Sequence, residues 1–506
     1  MNKRLAAAYN LLFSSTTVVL SVVTGLVLVP LYLRRFDAAT YGAWLASGNI
    51  LAMIGIFESG LSSIVTQRLA AAYSHGESRD FARIAGAGIF VAVIMGALVA
   101  SVGMLSAPFI VTWVHAPAVT KYALKLAVTF SSVGAGLSIV FYTLGAIPQA
   151  WQRTAVPGLL GVTALLASIS SILLGLHFGL GVAALGLGPM ISAAVYIIGY
   201  SIYLLTMWRR QNSSRLVLDL RLVVDIAKAS SLLLASRIAA VLGGNMEAAV
   251  AAIFVSPLAS AILVLTGRVI TLNQMFMDRI GSAVFAGVAH VASDPKSKES
   301  APVVTEITLL ATSLAGFGLA LAIALSRPVI CLWVGPTLFG GRPLLLLIAT
   351  SAAMSFRRSL FSNFTIAAGE IRKAVFSLLA ESAVRAGLLI SLAYLFKLPG
   401  IPTAGAVASI VAMILFARIL AHRFNQSAVK IHQPGSLGFL LCITIGVVWM
   451  FAVPEPKTWI WLVVQIIMVG TLLLATLLTV ERGTLISIKH SVTSMRSGSS
   501  KALQTT

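Results

Sequence analysis

Pro108-Phe109-Ile110-Val111-Thr112-Trp113-Val114 and Pro328-Val329-Ile330-Cys331-Leu332-Trp333-Val334 are two copies of one phrase, with Pro, Ile, Trp and Val in the same places. Each copy closes a long apolar run and opens a brief polar loop. Two further echoes keep nearly the same offset. Arg153 after Ala-Trp-Gln answers to Arg372 after Glu-Ile, and Gly181-Val182 answers to Gly400-Ile401. A fixed offset over such distances marks internal duplication. The chain therefore reads as two related halves, 1–210 and 211–423, followed by an unmatched piece over 424–482 and a tail over 483–506.

Composition says where these halves live. Of 506 residues, 58% are hydrophobic and only 10% charged, and the mean hydropathy is +0.97. Soluble domains carry about a quarter charged residues, so a soluble fold is excluded. Apolar runs of about 20 residues recur along the chain, each long enough to cross a bilayer as a helix. The short alternating segments of a transmembrane barrel are not visible. The formal charge of +21 does not point to nucleic acid, because Lys and Arg sit in short clusters between apolar runs, such as Arg209-Arg210 and Arg372-Lys373. That is the positive-inside pattern of a membrane protein. The two cysteines, Cys331 and Cys442, both lie in apolar runs far apart and imply neither a disulfide framework nor a metal site. The first apolar run, 9–33, is too long for a signal h-region and is expected to be an uncleaved span.

The expected fold class is an all-α polytopic membrane protein with about fourteen transmembrane helices. The spans are 9–33, 41–65, 84–113, 122–147, 155–175, 182–207, 224–243, 248–268, 303–332, 343–368, 374–396, 400–421, 436–453 and 459–480. They form two pseudo-symmetric six-helix bundles plus two C-terminal helices. A cytoplasmic N-terminus puts most cationic loops inside, and an even number of spans returns the C-terminus to the same side. Two halves of even span number share one orientation, and transporters built that way place the substrate path between the halves. The tail is rich in Ser, Thr and Lys and is expected to be disordered. Every external loop is short, which leaves no room for an extracytoplasmic catalytic or receptor domain.

Polar residues inside apolar spans are the candidates for function. Asn10, Ser14, Thr17, Ser21 and Thr24 are spaced by four, three, four and three, which puts them on one face of the first span. Helix–helix hydrogen bonding and a water-filled cavity both fit, and the length of the stripe leans to a cavity. Glu58 lies inside span two, where a lumen role competes with pairing to Arg68. The second half holds more charge: Arg237 in span seven, Arg357 and Arg358 in span ten, and Glu381 and Arg385 in span eleven. Adjacent residues on a helix point about 100° apart, so Arg357 and Arg358 face differently. Arg358 shares its stripe with Ser351, Ser355 and Ser362 and is the better candidate for the lumen. Glu381 and Arg385 are four apart with the acid first, the order that favours an intrahelical pair. The interior is thus cationic, and a desolvated Arg holds phosphate through a forked pair of hydrogen bonds. An anionic ligand, with phosphate the natural guess, is expected. No nucleophile constellation, metal-ligand spacing or phosphate-binding loop is found, so no cofactor is expected. Transport would draw on a Na⁺ or H⁺ gradient, the membrane potential or the substrate gradient, and the sequence does not choose among them.

Pro30-Leu31-Tyr32-Leu33-Arg34-Arg35-Phe36-Asp37-Ala38-Ala39-Thr40-Tyr41-Gly42-Ala43-Trp44 resembles the opening of polysaccharide flippases of the multidrug/oligosaccharidyl-lipid/polysaccharide exporter superfamily. In that family a Pro-ended first span leads into Tyr-Gly-x-Trp. Phe57-Glu58-Ser59-Gly60-Leu61, then Arg68-Leu69-Ala70 and His75-Gly76-Glu77, is similar to the family's next pattern. Glu58 stands where Asp is common. The resemblance implies transfer of undecaprenyl-pyrophosphate-linked oligosaccharide across the bacterial cytoplasmic membrane by alternating access, with membrane lipids around the protein and a polysaccharide polymerase among its assembly partners. It does not fix the lumen residues, so Arg237 and Arg358 stand on the reasoning above. A peptidoglycan-precursor flippase of the same superfamily is the nearest alternative. A membrane polymerase or ligase fits the short outer loops poorly, and a drug or cation antiporter fits the Arg-rich interior poorly.

Overall fold

The computed structural model describes residues 3–54, 60–153, 155–211, 218–230, 246–277, 300–423 and 436–481. Among them every regular element is helical. Among the described residues nine helices are long and apolar enough to cross a membrane, and ten if one bent pair counts as a span. A backbone in lipid has no water to satisfy its N–H and C=O groups, and a helix satisfies them within the segment. The chain is a multi-pass membrane protein. It divides into two compact units, Met1–Ala261 and Ile262–Thr506; the sequence halves meeting near 210 remain a proposal about duplication.

The first unit contains α1 (Lys3–Arg35), α2 (Ala38–Ile54), α3 (Leu61–Ser74), α4 (Ser78–Trp113), α5 (Lys121–Ala150), α6 (Ala155–His177) and α7 (Ala183–Gln211). A helix over 220–230 (α8) and α9 (Glu247–Phe254) follow. α5 is the hub: it packs on α3, α4 and α7, while α6 packs on α1 and α7. In lipid, helices associate through close packing of small residues. A Cβ on Gly96 of α4 would meet the carbonyl oxygen of Gly136 on α5 at 2.5 Å, so this crossing is open to glycine alone. Leu69, Ile139, Ile147 and Ile226 fill the core beside it.

The second unit runs through α10 (Pro257–Thr266), whose first turns belong to the first unit, then α11 (Arg268–Met277), α12 (Ser300–Trp333), α13 (Arg342–Ala367), α14 (Ile371–Phe396), α15 (Gly400–Arg423), α16 (Ser436–Ala452) and α17 (Trp459–Val480). α13 and α14 both pack on α15, and α12 packs on α16 and α17. Phe361, Phe364 and Phe416 are its largest fully buried side chains, and they tie α13 to α15. The C-terminal hairpin α16–α17 docks on α12 through Cys442, Val469 and Leu473, with Gly446 against the backbone of Ala320. Ser313 of α12 donates to the buried Glu481 carboxylate at 2.7 Å, closing the end of that hairpin.

The duplicated phrase ends a helix in the same way in both units. Trp113 and Trp333 are the last residues of α4 and α12. Val114 then donates its N–H to Ile110 at 3.0 Å, and Val334 to Ile330 at 2.9 Å. The next residue is left-handed in both, His115 at φ 51° and Gly335 at φ 98°. A 3-10 turn follows each, Ala118–Thr120 and Pro336–Leu338, before the next long helix begins. The phrase is scaffold: Ile110 and Ile330 are buried, and Trp113 is exposed at the helix end, where membrane interfaces favour Trp.

One expected span is broken. The run 248–268 was read as a single helix, yet α9 stops at Phe254 and α10 starts at Pro257. Proline has no N–H to continue a helix, and the Ser256 hydroxyl accepts from Ala259 N at 3.0 Å, capping the new one. A second bend of 51° separates α10 from α11. The run 41–65 falls on α2 and α3, with 55–59 outside the described residues.

Candidate functional site

The charges expected in spans ten and eleven come together in the second unit. α13 and α14 are consecutive, joined by a tight turn in which Gly369 takes a left-handed φ of 83° and Glu370 N–H reaches back to Thr365 O at 3.1 Å. Arg358 on α13 and Glu381 on α14 meet across that hairpin, Nε to Oε1 at 3.4 Å. Glu381 is 5% exposed, and a carboxylate so placed is strongly unfavourable without a cation beside it. Arg385, one turn further along α14, lies close enough to act on the same carboxylate. Glu381 thus pairs with Arg358 of the neighbouring helix as well as lying within reach of Arg385, its expected partner on the same helix.

The guanidinium of Arg358 is held but not saturated. Its Nε is buried and makes no hydrogen bond, and no other hydrogen bond to this side chain occurs among the described residues. The ion pair fixes its position while donors of the fork remain open to an anion. Of its serine stripe, Ser351 and Ser362 are buried, and Ser355 bonds Ser409 of α15 at 3.1 Å, which steadies α13 from the other side. Arg357 is half-buried on the adjoining face, next to the aromatic core of Phe361 and Phe364.

The remaining candidates are more dispersed. Ser21 is exposed and Thr24 half-buried, and Thr24 donates to Leu20 O of its own helix at 2.6 Å. Thr24 also lines a groove of about 520 Å³ with Val27, Leu31 and Arg34 of α1 and Leu173 of α6. The side chains of Asn10, Ser14 and Thr17 lie outside the described residues, as do Glu58 and Arg237 altogether. Arg327 is paired with Glu455 at 2.9 Å and sits over Phe339. Arg342 lies over the Phe451 ring at 4.7 Å.

Sequence reasoning missed an aromatic cluster in the first unit. Phe141 of α5 stacks on Tyr196 of α7 at 4.3 Å, and Tyr196 stacks on Tyr200 at 6.0 Å. The spacing of Tyr196 and Tyr200, one turn apart, was the available signal, but nothing in the sequence marks Phe141 as their partner. Near the start of α4, Arg83 binds both Asp80 (3.0 Å) and Asp219, which lies outside the candidate spans. The Arg83 guanidinium hydrogen-bonded to Asp219 holds its carboxyl below the usual carboxylate range.

No family model and no curated protein matches the sequence. Solved structures do match. The lipid II flippase MurJ, in an inward closed conformation, superposes with a TM-score of 0.70 at 13% identity, over 94% of this chain and 100% of that one. An inward-facing multidrug resistance MATE family transporter of the MOP superfamily gives 0.67 at 12%, over 79% of this chain and 94% of that one. A MATE transporter in complex with MaD5 gives 0.55 at 12%, over 88% and 95%. At such identities the likeness speaks for the fold alone: the chain is folded as these proteins are.

Proposed function

We propose that the protein is a flippase for polyprenyl-pyrophosphate-linked oligosaccharide, moving repeat units across the bacterial cytoplasmic membrane for a surface or secreted polysaccharide. The observation that carries this reading is Arg358: a cation positioned within the helices by a buried carboxylate, with hydrogen-bond donors left over. A guanidinium fork suits the oxygens of a pyrophosphate, and low local dielectric strengthens the bond. Charge-assisted hydrogen bonds contribute roughly 1.5–3 kcal/mol each, enough to select a phosphate headgroup without trapping it. Arg357 and Arg385 add positive potential nearby, and Glu381 keeps the site from becoming an irreversible anion trap. Arg237 and Glu58 join the proposal on sequence grounds alone. The lipid tail stays in the bilayer, so only the headgroup has to be sheltered.

The sequence resemblance to polysaccharide flippases favours the oligosaccharide. A second reading, a peptidoglycan-precursor flippase, is favoured by the full-length match to a lipid II flippase. Both substrates carry the same pyrophosphate, so Arg358 serves either. Deletion of the gene separates them: viable cells lacking surface polysaccharide are expected. Loss of viability, rescued by a known lipid II flippase, would overturn the oligosaccharide in favour of the precursor.

A further inference from the structure

A second basic site lies apart from Arg358, between α14 and α15. Arg372 and Lys373 open α14, and Arg418 lies near the end of α15. α14 and α15 are consecutive and packed together, so the start of one and the end of the other share one end of the hairpin. These cations and the apolar Phe376, Leu379 and Leu415 line a groove of about 710 Å³. Lys373 is paired with Glu370 at 3.0 Å. Arg372 and Arg418 are exposed and form no ion pair or hydrogen bond among the described residues. Two cations without an ion-pair partner among the described residues therefore crown an apolar channel from two helices, and Phe376 within it is 73% exposed. The first unit deals with its counterpart differently. Arg153, the sequence echo of Arg372, donates to the Tyr203 hydroxyl at 3.2 Å and to Met207 Sδ at 2.7 Å. There the protein supplies its own partners.

We propose that the groove binds an anionic phospholipid, its phosphate between Arg372 and Arg418 and an acyl chain along Phe376, Leu379 and Leu415. Charge complementarity sets the headgroup, and the first turn of α14 adds the positive end of a helix. Both helices are candidate spans, so the apolar part of the groove lies at hydrocarbon depth, where an acyl chain is the available occupant. A water-soluble phosphate would satisfy the cations but leave that channel unused.

The test uses the full chain, purified in detergent, exchanged into phosphatidylcholine discs containing one tenth phosphatidylglycerol of the same acyl chains, and analysed by native mass spectrometry. The wild type is expected to retain phosphatidylglycerol at least fivefold above its bulk share. The R372Q/R418Q double variant should fall to the bulk ratio, while R34Q keeps the enrichment. Phe376→Asn keeps both cations and should reduce retention severalfold. Melting curves confirm that each variant is folded. Enrichment unchanged in the double variant, no enrichment in the wild type, or displacement of the lipid by an equal concentration of glycerol phosphate would each overturn the proposal.

Discussion

The two units end α4 and α12 with the same phrase and continue in the same manner, yet differ in what they bury next. α4–α7 and α12–α15 repeat one plan: a helix ending on Trp, a 3-10 turn, a long helix, a left-handed turn, and two more helices. Each turn closes on the helix before it: Arg153 N–H bonds Pro148 O and Glu370 N–H bonds Thr365 O. In the long helix that precedes the turn, the first unit stacks Phe141 on Tyr196 of α7, while the second unit pairs Arg358 with Glu381 of α14. The closest glycines diverge as well. Gly96 meets Gly136 of α5, whereas Gly316 at the matching place in α12 meets Phe439 of α16. A shared helix plan thus carries an aromatic joint in one unit and a charged one in the other. Aromatic stacking gains stability and offers an anion nothing; a buried ion pair gains little stability and offers a great deal. The charged unit is where the proposed function lies.

The comparison breaks most directly at Arg358. Arg358→Ala is expected to lower transfer of lipid-linked oligosaccharide by about 100-fold, the loss of one charge-assisted pair at 1.4 kcal/mol per factor of ten. It also strands Glu381, at a cost of about 3 kcal/mol, so the R358M/E381L variant belongs beside it. That variant should recover the melting temperature and remain inactive, and normal transfer by it would reduce the pair to scaffold. Phe141→Ala is the opposite case: about 3 kcal/mol of stability lost to the cavity, with transfer per folded molecule changed by less than threefold. A large activity loss at unchanged stability would mean that the aromatic joint is not mere packing. Gly136→Val forces α4 from α5 and should cost roughly 1–3 kcal/mol, read as a lower detergent melting temperature. The smallest effect is expected at Asp219. Its depressed carboxyl stabilises the folded state at neutral pH, and that contribution disappears as pH falls through and below the usual carboxylate range. Asp219→Asn should lower the melting temperature slightly at pH 7 and leave it unchanged well below pH 4; an equal shift at both would disconnect the effect from ionisation.

Much of the frame could be read from the residues. Apolar length set the helices, because a bilayer admits few alternatives, and the doubled Pro-x-Ile-x-x-Trp-Val phrase marks matching helix ends. The break after Phe254 was harder, although Ser256-Pro257 is a cap followed by a helix starter; an unbroken apolar run hides such a joint when hydropathy alone is followed. Arg358, Glu381 and Arg385 stand out in the sequence as charges in apolar surroundings. The contact of Arg358 with Glu381 was not legible, because only the α13–α14 turn creates that proximity. The Arg327–Glu455 pair and the unpaired Arg372 and Arg418 depend on helix packing too, and spacing along the chain holds no trace of it.

The central claim is that Arg358 holds a pyrophosphate during transfer. Its direct test is reconstitution of wild type and Arg358→Gln at equal density into liposomes, with a short-chain polyprenyl pyrophosphate bearing a fluorescent disaccharide whose exposure is followed by quenching. Wild type should equilibrate the probe between leaflets, Arg358→Gln should run near the protein-free rate, and a monophosphate version of the probe should lose most of the difference between them. Equal transfer by the two proteins, or no transfer by the wild type, would contradict the account.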